Sequence, residues 1–396
     1  MKDSSKSPHQ PKTGKQTLSV HLGMDPDGNH GIPNPPVYHT STIMRASLAD
    51  YRNRVGRYDY GRMGTPTSEA CEQAVAALYE ADQAVATSSG LAAIALGISA
   101  VLKAGDHALF PDSMYGSGRR FVEQVLPLHG ISFDFYDPCC SAQDLAALIG
   151  GKTRLVYLES PGSLTFEMQD LPALTAAAKA AGCLTACDNT WGTPIYFNGL
   201  NIGIDIIIEA GTKYISGHSD VSIGFVISNG ETAAAVREYA NNTGITVAPD
   251  ELYLCIRGMR TLPLRLRQSE ANGLACARWL EAQPEVSCML HPALPSHPGH
   301  QHWQRDFSGS CGLFGFCFAE TVPQQAIDAM ADGLVLFGIG ASWGGHESLI
   351  TQGRTKRAVT PLPAGTLMRV YAGLEDTADL LADLEAGFAR LRKISG

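Results

Sequence analysis

Between residues 80 and 260, short apolar runs alternate with helix-patterned segments, and nothing else in the chain restricts its fold so strongly. AVATSS leads into GLAAIALGISAVLKAG, and HALFPD leads into GSGRRFVEQVLPLHG. RLVYLESP, PALTAAAKAAG, LTACDNT, IDIIIEAG and SIGFVISNG follow. A brief apolar run bounded by turn residues reads as a buried strand. Alternation with helices predicts an α/β fold with a mostly parallel sheet and helices on both faces. Ligands in such sheets sit at the carboxyl ends of the strands. The residues that close each run are therefore the first place to look for chemistry.

The flanking regions have a different texture. Residues 1–16, MKDSSKSPHQPKTGKQ, are polar and lack an apolar core. They read as disordered and not as a secretory signal. Residues 17–65 are rich in Pro, Tyr and Arg with little helical period, so residues 1–65 are expected to form an N-terminal arm. TSEACEQAVAALYE opens with capping residues and continues at helical spacing, which starts a large domain over residues 66–260. Beyond it, RTLPLRLRQSEANGLACARWLEAQ, GLFGFCFAE, QQAIDAMADGL and TADLLADLEAGFARLRKI predict a smaller C-terminal α+β domain over residues 261–396. The 41 glycines and 22 prolines are spread along the chain and mark turns between elements.

The formal net charge is −9 and no basic block is present, which argues against nucleic acid and anionic membrane as partners. No apolar run approaches the roughly 18 residues that a membrane-spanning helix needs. Ten cysteines form no CxxC pair, and they read as structural thiols of a cytoplasmic protein. His291, His297, His300 and His302 crowd one segment, but neither carboxylates nor helical spacing accompany them. They read as a loop, and no metal site is expected.

Four signals lie at strand ends. Lys213, in GTKYISGHSD, follows the apolar run IDIIIEAG. Partial desolvation there lowers an amine's pKa and frees it to attack a carbonyl. Asp188 closes LTACDNT, and a buried acid needs a cation or several donors. Ser88, Ser89 and Gly90 stand between a strand and a helix, where free backbone N–H groups make an anion site. Tyr115 follows FPDSM and can stack on a flat ring. Each alone is a weak sign, since a lone lysine is most often a surface cation.

In chain order these four signals resemble the PLP-dependent Cys/Met metabolism family of fold type I. The resemblance runs from about residue 17 to residue 392 and rests on YDYGRMGTPT (58–67), SSGLAA (88–93), LESPGS (158–163), DNTW (188–191), TKYISGHSD (212–220), RGMRTLPLRLRQ (257–268) and ASWGGHESL (341–349). Within the family, HPALP, RDFSGSCGLF and GTLMRVYAGLED are similar to the bacterial cystathionine β-lyase branch.

The resemblance implies pyridoxal 5′-phosphate (PLP) as cofactor, attached at Lys213, which also moves protons. It implies that Asp188 holds the pyridine nitrogen and that Tyr115 stacks on the ring. Ser89, Gly90, Leu91 and Thr212 would hold the phosphate, joined by Tyr60 and Arg62 from a neighbouring subunit. Arg369 would take the substrate carboxylate in a pocket lined by Ser342 and Trp343. The implied assembly is a homotetramer, a dimer of dimers.

The implied reaction is β-elimination of the sulfur amino acid L-cystathionine to homocysteine, pyruvate and ammonia, within methionine biosynthesis by transsulfuration. Alternatives in the same family are a cystine or cysteine lyase, a γ-lyase and a sulfhydrylase-type transferase. Three positions depart from common family patterns. Ala210 replaces a serine, Met63 replaces a second arginine, and Asn241 stands where some β-lyases have a tyrosine.

Overall fold

The structure, a computed structural model, describes residues 13–395. Most of the segment expected to be disordered, residues 1–12, lies outside the described residues. Its end is corrected, because Lys15 and Gln16 open a helix, Lys15–His21. Seven residues are too few for a helix that is stable on its own. Docking holds this one, through a Lys15 Nζ bond to the Pro194 carbonyl and a fully buried Ser19. The remainder of the arm is largely irregular, with a short α-helix at Leu48–Arg52 and a 3-10 helix at Gly61–Met63.

The large sheet has seven strands: β1 (Gln83–Thr87), β2 (His107–Pro111), β3 (Ser132–Tyr136), β4 (Thr153–Glu159), β5 (Leu184–Asp188), β6 (Ile206–Glu209) and β7 (Gly224–Ser228). Their spatial order is β1-β7-β6-β5-β4-β2-β3. Pairs from β3 through β6 are parallel, and only β7 is reversed.

Strands buried on both faces are apolar at nearly every position, which is why β4, β6 and β7 read as continuous runs. Alternate side chains serve opposite layers. Val156, Leu158 and Ile207 pack on one side with Leu174. Leu155, Ile206 and Ile208 pack on the other with Ile94 and Leu96. The sequence pattern did not show β3, because that edge strand is mostly exposed or half-buried.

The second sheet holds β8 (Val286–Leu290), β9 (Leu313–Phe318), β10 (Gly338–Ile339), β11 (Leu349–Gln352) and β12 (Thr366–Tyr371), in the order β10-β11-β12-β9-β8. Only β10 and β11 pair in parallel. Phe314, Phe316 and Phe318 of β9 form a core with Met330, Leu384 and Phe388 from the helices Gln324–Asp332 and Thr377–Ser395. The fold is thus α/β with a mostly parallel central sheet and a C-terminal α+β domain.

The histidine-rich segment is more ordered than a loop. His291 and His297 are buried, and a helix runs from His300 to Asp306. Burial holds His291 down at about 3 and His297 at about 4, so both are neutral core residues. Among the described residues, no group of three or more His, Cys, Asp or Glu could hold a metal ion.

Ile207 is fully buried at the centre of the large sheet, between β5 and β7. Ile207→Ala is expected to lower stability by about 2–5 kcal/mol. The check is the urea unfolding midpoint. An unchanged midpoint would mean that this layer is not tightly packed.

Candidate active site

Three adjacent parallel strands end in acids: Glu159 on β4, Asp188 on β5 and Glu209 on β6. Glu159 and Asp188 are register partners. All three are pushed upward by burial, Glu159 and Glu209 well above the usual carboxylate range. Proximity to Asp188 raises both glutamates further. Like charges cannot all ionise in so small a dry space.

The three acids have different partners. Glu159 Oε2 accepts the backbone N–H of Tyr115 at 2.9 Å. Glu209 accepts the hydroxyl of Tyr79 at 2.5 Å, and that hydroxyl in turn accepts Asn189 Nδ2 at 2.9 Å. Asp188 Oδ1 accepts both the N–H of Thr190, at 3.0 Å, and its hydroxyl, at 2.6 Å. Both donors fall on one oxygen, which leaves Oδ2 available.

Asp188 and Glu159 line a cavity of about 430 Å³. Lys213 enters it from the turn after β6. Its Nζ donates to Ser342 Oγ at 2.7 Å and lies 5.2 Å from the Trp343 ring centre. Burial, and then the nearby Arg369, lower the amine to about 8 against the opposing pull of Asp188.

The turn that carries Lys213 is braced by Arg265. This buried guanidinium donates to the carbonyls of Tyr214 at 2.8 Å, Ile215 at 3.4 Å and Gly258 at 2.8 Å. It occupies the space beside Gly217, where a Cβ would lie 1.8 Å from Nη1.

The opposite rim is the start of the helix Gly90–Ser99. Ser89 is its N-cap and accepts the Ala92 N–H at 3.1 Å. The amides of Gly90 and Leu91 are first-turn donors with no acceptor inside the helix. Both residues line the cavity. Gly90 lies so close to the Lys213 turn that a Cβ would sit 2.7 Å from Ala210 Cβ.

Tyr115, Thr212, Trp343 and Arg369 also line the cavity. The Thr212 hydroxyl is engaged with the backbone, donating to Ile223 O at 3.0 Å and accepting the Ile223 N–H at 2.9 Å. Arg369 on β12 donates at longer range to the carbonyls of Ser342 and Gly340, at 3.3 and 3.4 Å.

Tyr60 and Arg62 are the exceptions. Within one chain they line a different cavity, together with Met63 and Asn241. Arg62 donates there to the Asn241 carbonyl at 2.8 Å. Two site features were not picked out from the sequence. Glu159 carries the same signal as Asp188, an acid closing an apolar strand. Ser222, which lines the cavity and donates to Ser88 O at 3.0 Å, carries no local signal.

The donor set suits pyridoxal phosphate. It combines an amine near neutrality, a carboxylate with a free oxygen, and helix-start amides facing one cavity.

Comparison with known proteins agrees. The model of the family described as "Cys/Met metabolism PLP-dependent enzyme" matches residues 16–389. A putative cystathionine beta-lyase from Rhizobium johnstonii is 43% identical over 381 residues, covering 95% of this chain and 96% of that protein. An L-alanine/L-glutamate racemase from Wolbachia pipientis wMel is 37% identical, with 95% and 97% covered. The crystal structure of a cystathionine gamma synthase from Xanthomonas oryzae pv. oryzae superposes with a TM-score of 0.88 at 31% identity, with 97% and 100% covered.

An amine held at about 8 is neutral above that pH and charged below it. In cofactor-free protein, the rate of covalent capture of pyridoxal phosphate should rise about tenfold between about pH 7 and pH 9, then level off. Stopped-flow absorbance reads this directly. A rate that still climbs steeply past about pH 10 would contradict a desolvated Lys213.

Proposed function

We propose that this chain, which belongs to the Cys/Met metabolism family of PLP-dependent enzymes, is a carbon–sulfur lyase that cleaves L-cystathionine by β-elimination. The observation that carries this reading is that Lys213, Asp188 and Arg369 line one cavity, with Ser342 bonded to the Lys213 amine. Most of its support at the level of substrate comes from the cystathionine beta-lyase name of a 43% identical relative.

The bound cofactor supplies an electron sink for the pair left at the substrate's Cα when its proton is removed. The chain's residues do the rest. Asp188 would hold the pyridine nitrogen in its protonated form. Arg369 receives the substrate carboxylate in a two-pronged contact, and the carbonyls of Gly340 and Ser342 hold its guanidinium in place. Lys213, once free, takes the Cα proton and delivers a proton to the departing sulfur. A pKa near 8 suits an amine that must do both near neutral pH.

Ser342 and Trp343 hold the amine on the substrate's side of the site. Tyr115, which lines the cavity, would stack on the ring and take a proton from the incoming amine. The amides of Gly90 and Leu91, with Ser89, would take the phosphate, and Thr212 would join them by turning its hydroxyl from the Ile223 carbonyl. The partner subunit's Tyr60 and Arg62 complete that phosphate site, which makes the dimer the smallest working unit and a dimer of dimers the expected assembly. The products are homocysteine, pyruvate and ammonia, as methionine biosynthesis by transsulfuration requires. Ten cysteines, all free among the described residues, fit a reducing cytoplasm.

One alternative has a specific basis. A racemase shares the first step, removal of the Cα proton, and a 37% identical relative bears that name. Product analysis separates the two. With L-cystathionine, the lyase yields pyruvate and homocysteine in equal amounts, and L-alanine stays L. Appearance of D-alanine without pyruvate from any thioether would overturn the lyase reading, whereas cysteine with 2-oxobutyrate would shift it to γ-elimination.

Lys213→Ala is expected to abolish elimination and borohydride-stable labelling of the protein by the cofactor. Asp188→Ala should lose at least about 100-fold in kcat while retaining the label. Near wild-type turnover by Asp188→Ala would remove that carboxylate from the proposed machinery.

A further inference from the structure

The segment between β11 and β12 leaves the small domain and is pinned onto the large domain beside the cavity. Two charged anchors pin it. The first is Asp112, a fully buried side chain just past the end of β2. It accepts the successive N–H groups of Ala358, Val359 and Thr360, at 2.8 to 3.0 Å, and Arg119 Nη1 at 2.9 Å. Burial pushes this carboxyl up, but those donors outweigh it and hold it at about 2.

The second anchor is Arg357, whose side chain is only 5% exposed. It pairs with Glu167 Oε1 at 2.6 Å and also donates to the Thr165 hydroxyl. That hydroxyl donates to the other carboxylate oxygen, Glu167 Oε2, at 2.6 Å.

Thr165 and Glu167 flank Phe166. Phe166 and Leu164 line the cavity, and both have left-handed backbones, at φ 57° and 67°. Bulky residues hold such a conformation only when their surroundings enforce it. The wall closes on itself through Phe166 N–H to Gly162 O at 3.0 Å and Gly162 N–H to Glu167 O at 2.9 Å. Arg357 braces it from outside. Arg369, which lies on β12 after the same segment, faces the same cavity from another direction.

We propose that Arg357 is a specificity-determining positioning residue. Through Glu167 and Thr165 it fixes the Leu164–Phe166 wall, and that wall sets which substrate side chains fit. The inference rests on the proposed reading only in taking this cavity as the amino-acid site. It assigns no new group to the chemistry at Cα.

Without Arg357 the wall relaxes, and recognition of long side chains weakens while that of short ones persists. The test uses holoenzyme carrying Arg357→Ala or Arg357→Lys. Two amino acids without a leaving group, L-alanine and L-norleucine, are titrated against the cofactor's visible absorbance. Turnover of L-cystathionine is compared with that of β-chloro-L-alanine, whose side chain is short.

In Arg357→Ala, the norleucine dissociation constant should rise at least fivefold, with alanine within twofold of wild type. KM for cystathionine should rise with little change in kcat for β-chloroalanine, and Arg357→Lys should recover part of the loss. Equal weakening for both ligands, or no weakening for either, would overturn the proposal. Because the titrations need no turnover, they judge Arg357 even if wild-type protein cleaves neither substrate, a result that would refute the lyase reading alone. If Arg357→Ala loses its cofactor band, Glu167→Gln provides the same comparison, and the same two outcomes decide it.

Discussion

Three carboxyl groups at neighbouring strand ends, with little water and one nearby lysine, set the electrostatics of this molecule. Parallel strands bring their carboxyl ends to one edge, so the sheet topology itself crowds Glu159, Asp188 and Glu209 together. The two outer acids are pushed well above the usual carboxylate range and take neutral partners, a backbone N–H for Glu159 and a phenol for Glu209. Asp188, between them, lines the cavity and takes both of its Thr190 donors on Oδ1. A positively charged heteroaromatic nitrogen is the partner such a site favours, because it neutralises a charge that the fold has desolvated.

The same burial accounts for the lysine. It outweighs the opposing pull of Asp188, and the amine's affinity for protons falls. Arg369 adds repulsion from the substrate side. The amine's basicity is therefore a property of two domains jointly, since Asp188 lies on the large sheet and Arg369 on the small one.

Much of this was legible in the amino-acid order. Apolar runs located β1, β2, β4, β5, β6 and β7, because strands covered on both faces carry no polar interruptions. Asp188 and Lys213 stood out because each is a charge placed at the end of such a run. The edge strand β3 was not legible, as its half-exposed pattern resembles a loop. The helix Lys15–His21 was missed because its order comes from docking rather than composition. His291 and His297 read as part of a loop, and the turn that carries them is packed into the core. Arg357 could not be placed at all, since its partner Glu167 is 190 positions away. Tyr60 and Arg62 lie in another cavity of the same chain, so a single copy does not show what they reach.

The Arg265 brace has a kinetic corollary. It ties the peptide that bears Lys213 to the helix Leu262–Glu281 by two carbonyls, those of Tyr214 and Ile215. Any travel of the amine must then come from rotation about its own methylene chain, a nanosecond event, and not from a breathing main chain. Proton delivery between two substrate atoms becomes a short pendulum swing from a fixed pivot, and the arc of that swing bounds how far apart those atoms can be.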